Sequence, residues 1–468
     1  MSGLDATFLY GETGGMHMHV VGAMVFDPST SDEPYSFEAI KELVATRMAR
    51  MPQFRQKLAV VPLRLHHPVW VDDEEFDLDF HVRRIGCPSP GSMEDFGQVV
   101  ADIASRRLDR THPLWQMWVV EGLEGGLVGV VLKMHHSATD GVSGANLMAH
   151  LFDLEPHPSP AAEDDITWDP AHKPNDLALV GYALTEWARH PVRFVKVLPS
   201  TVKGISSLVM TIRRRSGGAG GMPIPLTAPK TVWNGPITSH RSVAFVDVPL
   251  VDLKVIKNAF GTTLNDVVLA VSAGALREFL AKRGELPESA LQASVPVSTH
   301  AEEGATRGVN QISSMFVSLE TQIDDPVERL RIISARTVNA KAEHRAVGAK
   351  LLQEWAEFAA PLTFSLAARL YANPAVSGRV TPSNLVISNV PGPSFPLYFA
   401  GARMLRFYPL GPVLDAMGLN LTVLSLLDNV GFGFIACREL LSAAELQDLA
   451  ACVPAAVAEL LDAAQSAA

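Results

Sequence analysis

Apolar and polar positions along this chain follow two periods, 2.0 and about 3.6 residues, so strands and helices are interspersed throughout. Residues 17–27 read as a first strand. Residues 37–51 place Ile40, Leu43, Val44 and Met48 on one face of a helix. Ser92-Met-Glu-Asp95 has the form of a capping box, and its helix should run to about Leu108. Gly126-Leu-Val-Gly-Val-Val-Leu132 reads as a buried strand, and a short helix follows Gly144.

The second half repeats the mixture. A strand is expected over 242–248, then a helix that starts at Thr263-Leu-Asn-Asp266 and ends near Lys282. Strands follow at 293–297 and 312–319, and Asp325-Pro-Val-Glu328 starts another helix, with a cap, a proline at the first position and an acid at the third. Leu385-Val-Ile-Ser388 is a strand closed by Asn389-Val-Pro-Gly-Pro393. Residues 419–426 and 430–437 flank Asp428-Asn429 as a hairpin, and Ser442-Ala-Ala-Glu445 caps the last helix. The class is therefore α/β or α+β with mixed sheets.

Composition changes between residues 155 and 235. Glu155-Pro-His-Pro-Ser-Pro is a solvated linker, residues 176–213 have helical character, and Ser216-Gly-Gly-Ala-Gly-Gly-Met-Pro-Ile-Pro is a flexible break. This divides the chain into a first lobe (1–172), a linker or crossover helix (173–235) and a second lobe (236–468). With 468 residues, one ordinary core is too small, so two or three domains are expected.

Charge and cysteine content narrow the class. A net charge of −11, with no basic aromatic-rich patch, argues against nucleic acid as a partner. Cys87, Cys437 and Cys452 are far apart and form neither a CxxC pair nor a disulfide framework, which suits a reducing cytosol. The N-terminus lacks the basic and apolar regions of a signal peptide. No uncharged apolar run approaches the length of a membrane span, so any membrane association is expected to be peripheral.

The candidate chemistry sits after the 126–132 strand, in His135-His136-Ser137-Ala138-Thr139-Asp140-Gly141. This order puts a histidine at a strand end and an aspartate one loop later. Histidine is the commonest general base. Two other readings stay open: a core histidine bonded to backbone, and a metal site with His136 and Asp140 as ligands. Zinc wants three or four ligands, and no Cys or His partners cluster nearby in the sequence. No metal is therefore expected.

The paired histidines, with Asp140 and Gly141, resemble the His-His-x-x-x-Asp-Gly signature of the CoA-dependent acyltransferase superfamily, which includes chloramphenicol acetyltransferase and peptide-synthetase condensation domains. Further segments narrow the likeness: Trp70-Val-Asp-Asp-Glu-Glu-Phe-Asp-Leu78, Pro113-Leu114-Trp115, Asn234-Gly-Pro-Ile, Asn265-Asp266, Val295-Pro-Val-Ser298 and Ser388-Asn-Val-Pro-Gly-Pro393. In this order they resemble the bacterial wax ester synthase/diacylglycerol acyltransferase family. The resemblance implies two chloramphenicol-acetyltransferase-like lobes with the active site in a tunnel between them. It also implies a cytoplasmic protein held peripherally on the inner face of the membrane or on lipid bodies.

The implied reaction moves a fatty acyl group from acyl-CoA, a substrate rather than a cofactor, to diacylglycerol or a long-chain alcohol. No cofactor is implied. His136 is the choice of base, because a neutral alcohol needs a proton acceptor within hydrogen-bond reach. No G-x-S-x-G nucleophile motif is present. Asp140 resembles an aspartate with a structural role in the superfamily, and Gly141 lets the chain turn after it. His135 shapes the strand end or channel, or acts in its own right. Ser388 and Asn389 are candidate oxyanion donors, or else their Pro-Gly-Pro neighbours only set a loop. Asn265 and Asp266 match a family motif, but a helix start is the preferred reading. Pro113, Leu114 and Trp115 are expected in the core or channel wall. His17, His19, His66 and His67 have no acidic partner at motif spacing and are read as structural. The family often has arginine where this chain has His300.

Two alternatives come from other classes. One is a condensation-type enzyme using a carrier-protein thioester, and the other a non-catalytic lipid-binding protein of the same fold. A metal hydrolase is more distant.

The connector mixes Leu184, Trp187, Phe194, Val195 and Leu198 with Arg189, Arg193, Lys196, Lys203 and Arg213-Arg-Arg215. Such a segment is either a membrane-surface helix or a crossover helix packed on both lobes. Reversing the charge at Arg213, Arg214 and Arg215 is expected to weaken co-sedimentation with anionic liposomes. Unchanged binding would remove this segment as the anchor.

Overall fold

The computed structural model describes residues 1–138, 144–156, 174–186, 188, 221–223, 226–298, 312–347, 366, 370 and 381–466. In chain order the first half holds helix α1 (Gly3–Gly11), strand β1 (His19–Asp27), helix α2 (Phe37–Ala49), strands β2 (Gln56–Ala59) and β3 (Val69–Asp72), short helix α3 (Leu78–His81), strand β4 (Val82–Gly86), helix α4 (Met93–Ser105), strands β5 (Trp115–Glu121) and β6 (Val128–His135), and helix α5 (Gly144–Leu151). The second half holds β7 (Arg241–Pro249), α6 (Leu250–Phe260), α7 (Leu264–Lys282), β8 (Gln292–Ser298), β9 (Ile312–Ser318), α8 (Pro326–Val347), β10 (Leu385–Val390), β11 (Tyr398–Phe399), β12 (Ala402–Leu410), β13 (Leu419–Leu426), β14 (Asn429–Cys437) and α9 (Ala443–Ser466).

These strands build two six-stranded mixed sheets, in the orders β11-β12-β1-β6-β5-β4 and β7-β14-β13-β10-β8-β9, and a small β2-β3 pair. The architecture is α/β with mixed sheets, as the interspersed periodicity predicts. The first sheet takes β11 and β12 from beyond residue 236, so the two lobes share chain. β12 runs antiparallel to β1, with Val21 opposite Leu410.

β6 is buried at all eight positions, which explains its nearly continuous apolar sequence. One face of its sheet packs on α2 through Met24, Phe26, Ile40, Val44, Met48, Leu132 and Met134. The other face packs on α4, where Phe96, Val99, Val100 and Ile103 meet Val21, Ala23, Val25 and Val131. That same cluster includes Val243, Tyr408, Leu410, Ile435 and Cys437, so α4 is the wedge between the lobes. Gly129 makes room for it, since a Cβ there would stand 2.5 Å from the Phe96 ring. Burying each such large apolar side chain is worth about 1.5–3 kcal/mol. The second lobe packs α6, α7 and α9 on its sheet in a separate core.

The caps read from the sequence are present. Ser92 and Asp95 form a capping box at α4, and Thr263 and Asp266 form one at α7. Ser442 and Glu445 bond reciprocally at α9. The 419–437 hairpin pairs Leu426 with Asn429 across its turn. Two boundaries differ from expectation. β6 runs on to His135 instead of stopping at Leu132, because His135 N–H still bonds to Leu114 O at 2.9 Å. α4 stops at Ser105, short of Leu108, where the Lys133 ammonium takes the Ile103 and Arg106 carbonyls, each at 3.0 Å. α1, the β2-β3 pair, β4, β5, α6 and the β11-β12 pair were not foreseen.

Among the described residues, α9 is long and apolar enough to cross a membrane, whereas the sequence suggested no such span. In this fold its Leu446, Leu449, Val453, Val457 and Leu460 are buried in the second core.

Candidate active site

β1 and β6 run antiparallel with His19 opposite His135, so the sheet brings two histidines to one end. The chain then enters a 3-10 turn, His136–Ala138. Met18, just before β1, accepts the His136 N–H at 2.7 Å. Ser137 N–H donates to His135 Nδ1 at 3.1 Å, and its Oγ lies 2.7 Å from the same nitrogen. The backbone on both sides of His136 is therefore fixed.

α1 covers this turn. Ser2 caps the helix by accepting the Asp5 N–H at 3.1 Å. The Phe8 ring stacks on His136 with centroids 4.2 Å apart and planes 21° from parallel. Leu9 joins Leu108 and Leu114 in a small cluster, against which Tyr10, Leu58, Trp70 and Ala138 pack. A cavity of about 510 Å³ lies beyond Trp70, lined by Val69, Val71, Pro174, Ala178, Leu179 and Tyr182 among others.

Glu12 ends α1 and turns its carboxylate into the site, where its side chain is 7% exposed. Oε1 accepts the Met18 N–H at 3.0 Å and lies 3.3 Å from His135 Nε2 and 3.7 Å from His19 Nε2. Oε2 accepts from Arg110 Nη2 at 2.6 Å, and the same guanidinium nitrogen bonds Leu9 O at 2.9 Å. Sequence reasoning missed this residue. It is seven places from His19 and far from His135 along the chain, and only the unforeseen α1 carries it to the motif.

Burial controls the charges here. Desolvation works to raise the Glu12 carboxyl, but the His135 contact, Arg110 and His19 outweigh it and hold the group well below the usual carboxylate range. Burial, helped by neighbouring His135, lowers His136 to about 4, with Asp5 opposing. Desolvation and the Arg241 and Arg107 charges lower His17 to about 4. His19 falls well below its ordinary value through burial and the Lys133 charge. Burial lowers Lys133 itself to about 7, with Arg106 and Arg83 adding to the effect. His136 is thus a neutral imidazole at neutral pH, set deep in the protein while keeping partial solvent access.

The other expected residues are placed as follows. Pro113 and Leu114 are buried beside the site, and the Leu114 carbonyl holds His135. Trp115 is in the core, where its indole N–H donates to Phe54 O at 2.7 Å and its ring stacks on His81 at 4.5 Å. Ser388 and Asn389 are half-buried on β10 in the second sheet. The next residue, Val390, packs on the cluster that holds Leu132 and Met134, just before the paired histidines. Gly392 lies against β13, where a Cβ would stand 1.7 Å from Ser425 O, so the Pro-Gly-Pro turn requires glycine. Asp266 is buried, caps α7 and accepts from Ser334 Oγ at 3.0 Å; Asn265 is half-buried beside it. Asp140, Gly141 and His300 lie outside the described residues, as do residues 189–215 of the connector.

Two of the histidines read as structural have partners on or beside α1. His19 faces Glu12, and His67 Nδ1 bonds the Tyr10 hydroxyl at 2.7 Å. The sequence pattern hid both because the partners come from α1. No group of three or more His, Cys, Asp or Glu side chains able to hold a metal is found among the described residues.

The mixed-sheet fold, with a histidine held at a strand end, is one that known acyltransferases share. Comparison with known proteins defines the family. The wax ester synthase/diacylglycerol acyltransferase catalytic domain matches residues 1–268, and the family's C-terminal domain matches 309–460. A protein of Mycobacterium tuberculosis strain H37Rv, assigned as a diacylglycerol O-acyltransferase, is 40% identical over 99% of this chain and 90% of its own length. A second H37Rv protein assigned the same way is 34% identical over 93% of this chain and 90% of its own. The wax ester synthase/diacylglycerol acyltransferase of Marinobacter aquaeolei VT8 is structurally similar, with a TM-score of 0.69 and 29% identity over 99% of this chain and 98% of its own. The starter condensation domain of rhizomide synthetase shares the fold at 10% identity and a TM-score of 0.54, covering 99% of this chain and 94% of its own. The chain belongs to the wax ester synthase/diacylglycerol acyltransferase family and is an acyltransferase.

The buried histidines also couple stability to pH. His17, His19, His81 and His136 are all lowered, chiefly by burial, so the fold refuses protons that the unfolded chain accepts near pH 6.5. Their stabilisation is present above that pH and is lost as pH falls toward their folded values. Asp247 and Asp415, raised by burial, oppose the effect with two groups against four. The urea midpoint is expected to drop between pH 7 and pH 5, with proton uptake on unfolding at pH 5. A midpoint that is flat or rises over that range would contradict it.

Proposed function

We propose that this acyltransferase transfers a fatty acyl group from acyl-CoA to the hydroxyl of diacylglycerol or of a long-chain alcohol, with His136 as general base. The observation that carries the reading is the state of His136. It is neutral, fixed by its own backbone and by Phe8, and partly open to solvent at the end of β6. The relatives' names supply the acceptors, since they pair wax ester synthesis with diacylglycerol acylation.

His136 accepts the acceptor's hydroxyl proton as the oxygen attacks the thioester carbonyl carbon. The tetrahedral intermediate collapses with cleavage of the carbon–sulfur bond. His136 returns the proton to the departing CoA sulfur. The products are an ester and free CoA thiol, and the proton count closes without a cofactor. Ser388 and Asn389, on the strand whose end reaches the same apolar cluster, are the proposed donors to the oxyanion. The cavity at Trp70 joins Leu179, Tyr182 and two valines to Gln56 and Asp72, so it offers an apolar wall with a polar edge. Both substrates carry long hydrocarbon chains, which supports a protein working peripherally at the cytoplasmic face of the membrane or on lipid bodies.

The test is thiol release from palmitoyl-CoA by wild type and His136→Ala, with diacylglycerol and hexadecanol offered separately and the lipid products resolved. The expected outcome is acceptor-dependent release by the wild type that falls at least ~100-fold in the variant. A wild type that releases no thiol with either acceptor would turn the reading to a carrier-protein thioester or to lipid binding without catalysis. A His136→Ala variant that matches wild type would refute the base assignment.

A further inference from the structure

The Glu12 carboxylate meets the backbone that carries His136 from two sides. On one side, Oε1 accepts the Met18 N–H at 3.0 Å, and the Met18 carbonyl holds the His136 N–H at 2.7 Å. On the other, Oε1 lies 3.3 Å from His135 Nε2, while His135 Nδ1 takes the Ser137 N–H at 3.1 Å. That last bond fixes the tautomer. A nitrogen that accepts from Ser137 carries no hydrogen, so in neutral His135 the proton is on Nε2, the atom that faces Glu12. His135 therefore stands between the carboxylate, 3.3 Å from its Nε2, and the His136–Ala138 turn. A third link runs through the helix itself, because Glu12 ends α1 and Phe8, one turn earlier, stacks on the His136 ring. Arg110 anchors the other carboxylate oxygen at 2.6 Å and the end of α1 through Leu9 O.

We propose that Glu12 is a positioning residue for His136, setting the place of the base through His135 on one side and Met18 on the other. Glu12 has no part in the proton transfer itself. A carboxylate this buried is costly unless its lone pairs are used, and here Oε1 meets groups that lead back to the His136–Ala138 turn while Oε2 takes Arg110, which ties it to the end of α1. The inference rests on His136 being the base. A displacement of about 1 Å at a reacting group costs on the order of 10²-fold in rate, so loss of Glu12 should act on turnover and spare substrate binding.

The test compares Glu12→Ala and Glu12→Gln with wild type and His136→Ala, using palmitoyl-CoA and the acceptor the wild type prefers, with thermal unfolding recorded for each. Glu12→Ala is expected to lose ~100-fold in kcat, with KM for palmitoyl-CoA within about 2-fold. Glu12→Gln keeps an acceptor oxygen for Met18 but loses the charge that pairs with Arg110, and should recover to between ~3-fold and ~10-fold below wild type. If Glu12→Ala does not fold, Glu12→Gln decides alone. A kcat lowered several-fold at constant KM supports the role, and wild-type kcat overturns it. A loss that falls on KM, or a Gln variant no better than Ala, would also overturn it. Should His136→Ala turn over like wild type, the base assignment falls and the positioning role with it. An inactive His136→Ala beside a fully active Glu12→Ala sinks the positioning role alone.

Discussion

The structure depends on the antiparallel pairing of β1 with β6. β6 is buried at every position and so must be covered on both faces. α2 covers one face and α4 the other, and α4 in turn seats the second lobe. With His19 opposite His135, the register decides what lies at the end of the sheet. A one-residue slip would exchange the two faces of the strand and move Lys133 and His135 off the side that α4 caps. The core and the site are thus set by one pairing.

That end of the sheet is polar inside an apolar body, and the molecule manages this by neutrality more than by ion pairing. His17, His19 and His136 are kept uncharged largely by burial, and burial brings even Lys133 down to about 7. The one firm charge among them is Glu12, compensated by Arg110 at 2.6 Å. A proton acceptor must be a neutral imidazole, and burial keeps His136 in that form. The burial that keeps His136 neutral also links the stability of the fold to pH.

Much of this was legible in the sequence where the signal is local. The caps at Ser92, Thr263 and Ser442, the hairpin around Asp428-Asn429 and the strand before the paired histidines each follow from neighbouring residues. What escaped was long-range. α1 has nine residues and no strong apolar stripe, so nothing local marks it as the cover of the site. Glu12 reaches His135 across more than a hundred residues, and β12 joins the first sheet from the other end of the chain. Asp266 shows the converse. Its motif suggested chemistry, and its local capping pattern correctly foresaw the hydrogen bonds it makes.

The most direct test of His136 as a buried, neutral base is the pH dependence of kcat/KM for palmitoyl-CoA between pH 4.5 and 8, over the range in which the protein stays folded. With His136 lowered to about 4, the rate should stay nearly flat down to about pH 5 and fall only below it. An acid limb centred near pH 6.5, the value of an ordinary solvated histidine, would contradict the assignment of this residue as the group that accepts the proton.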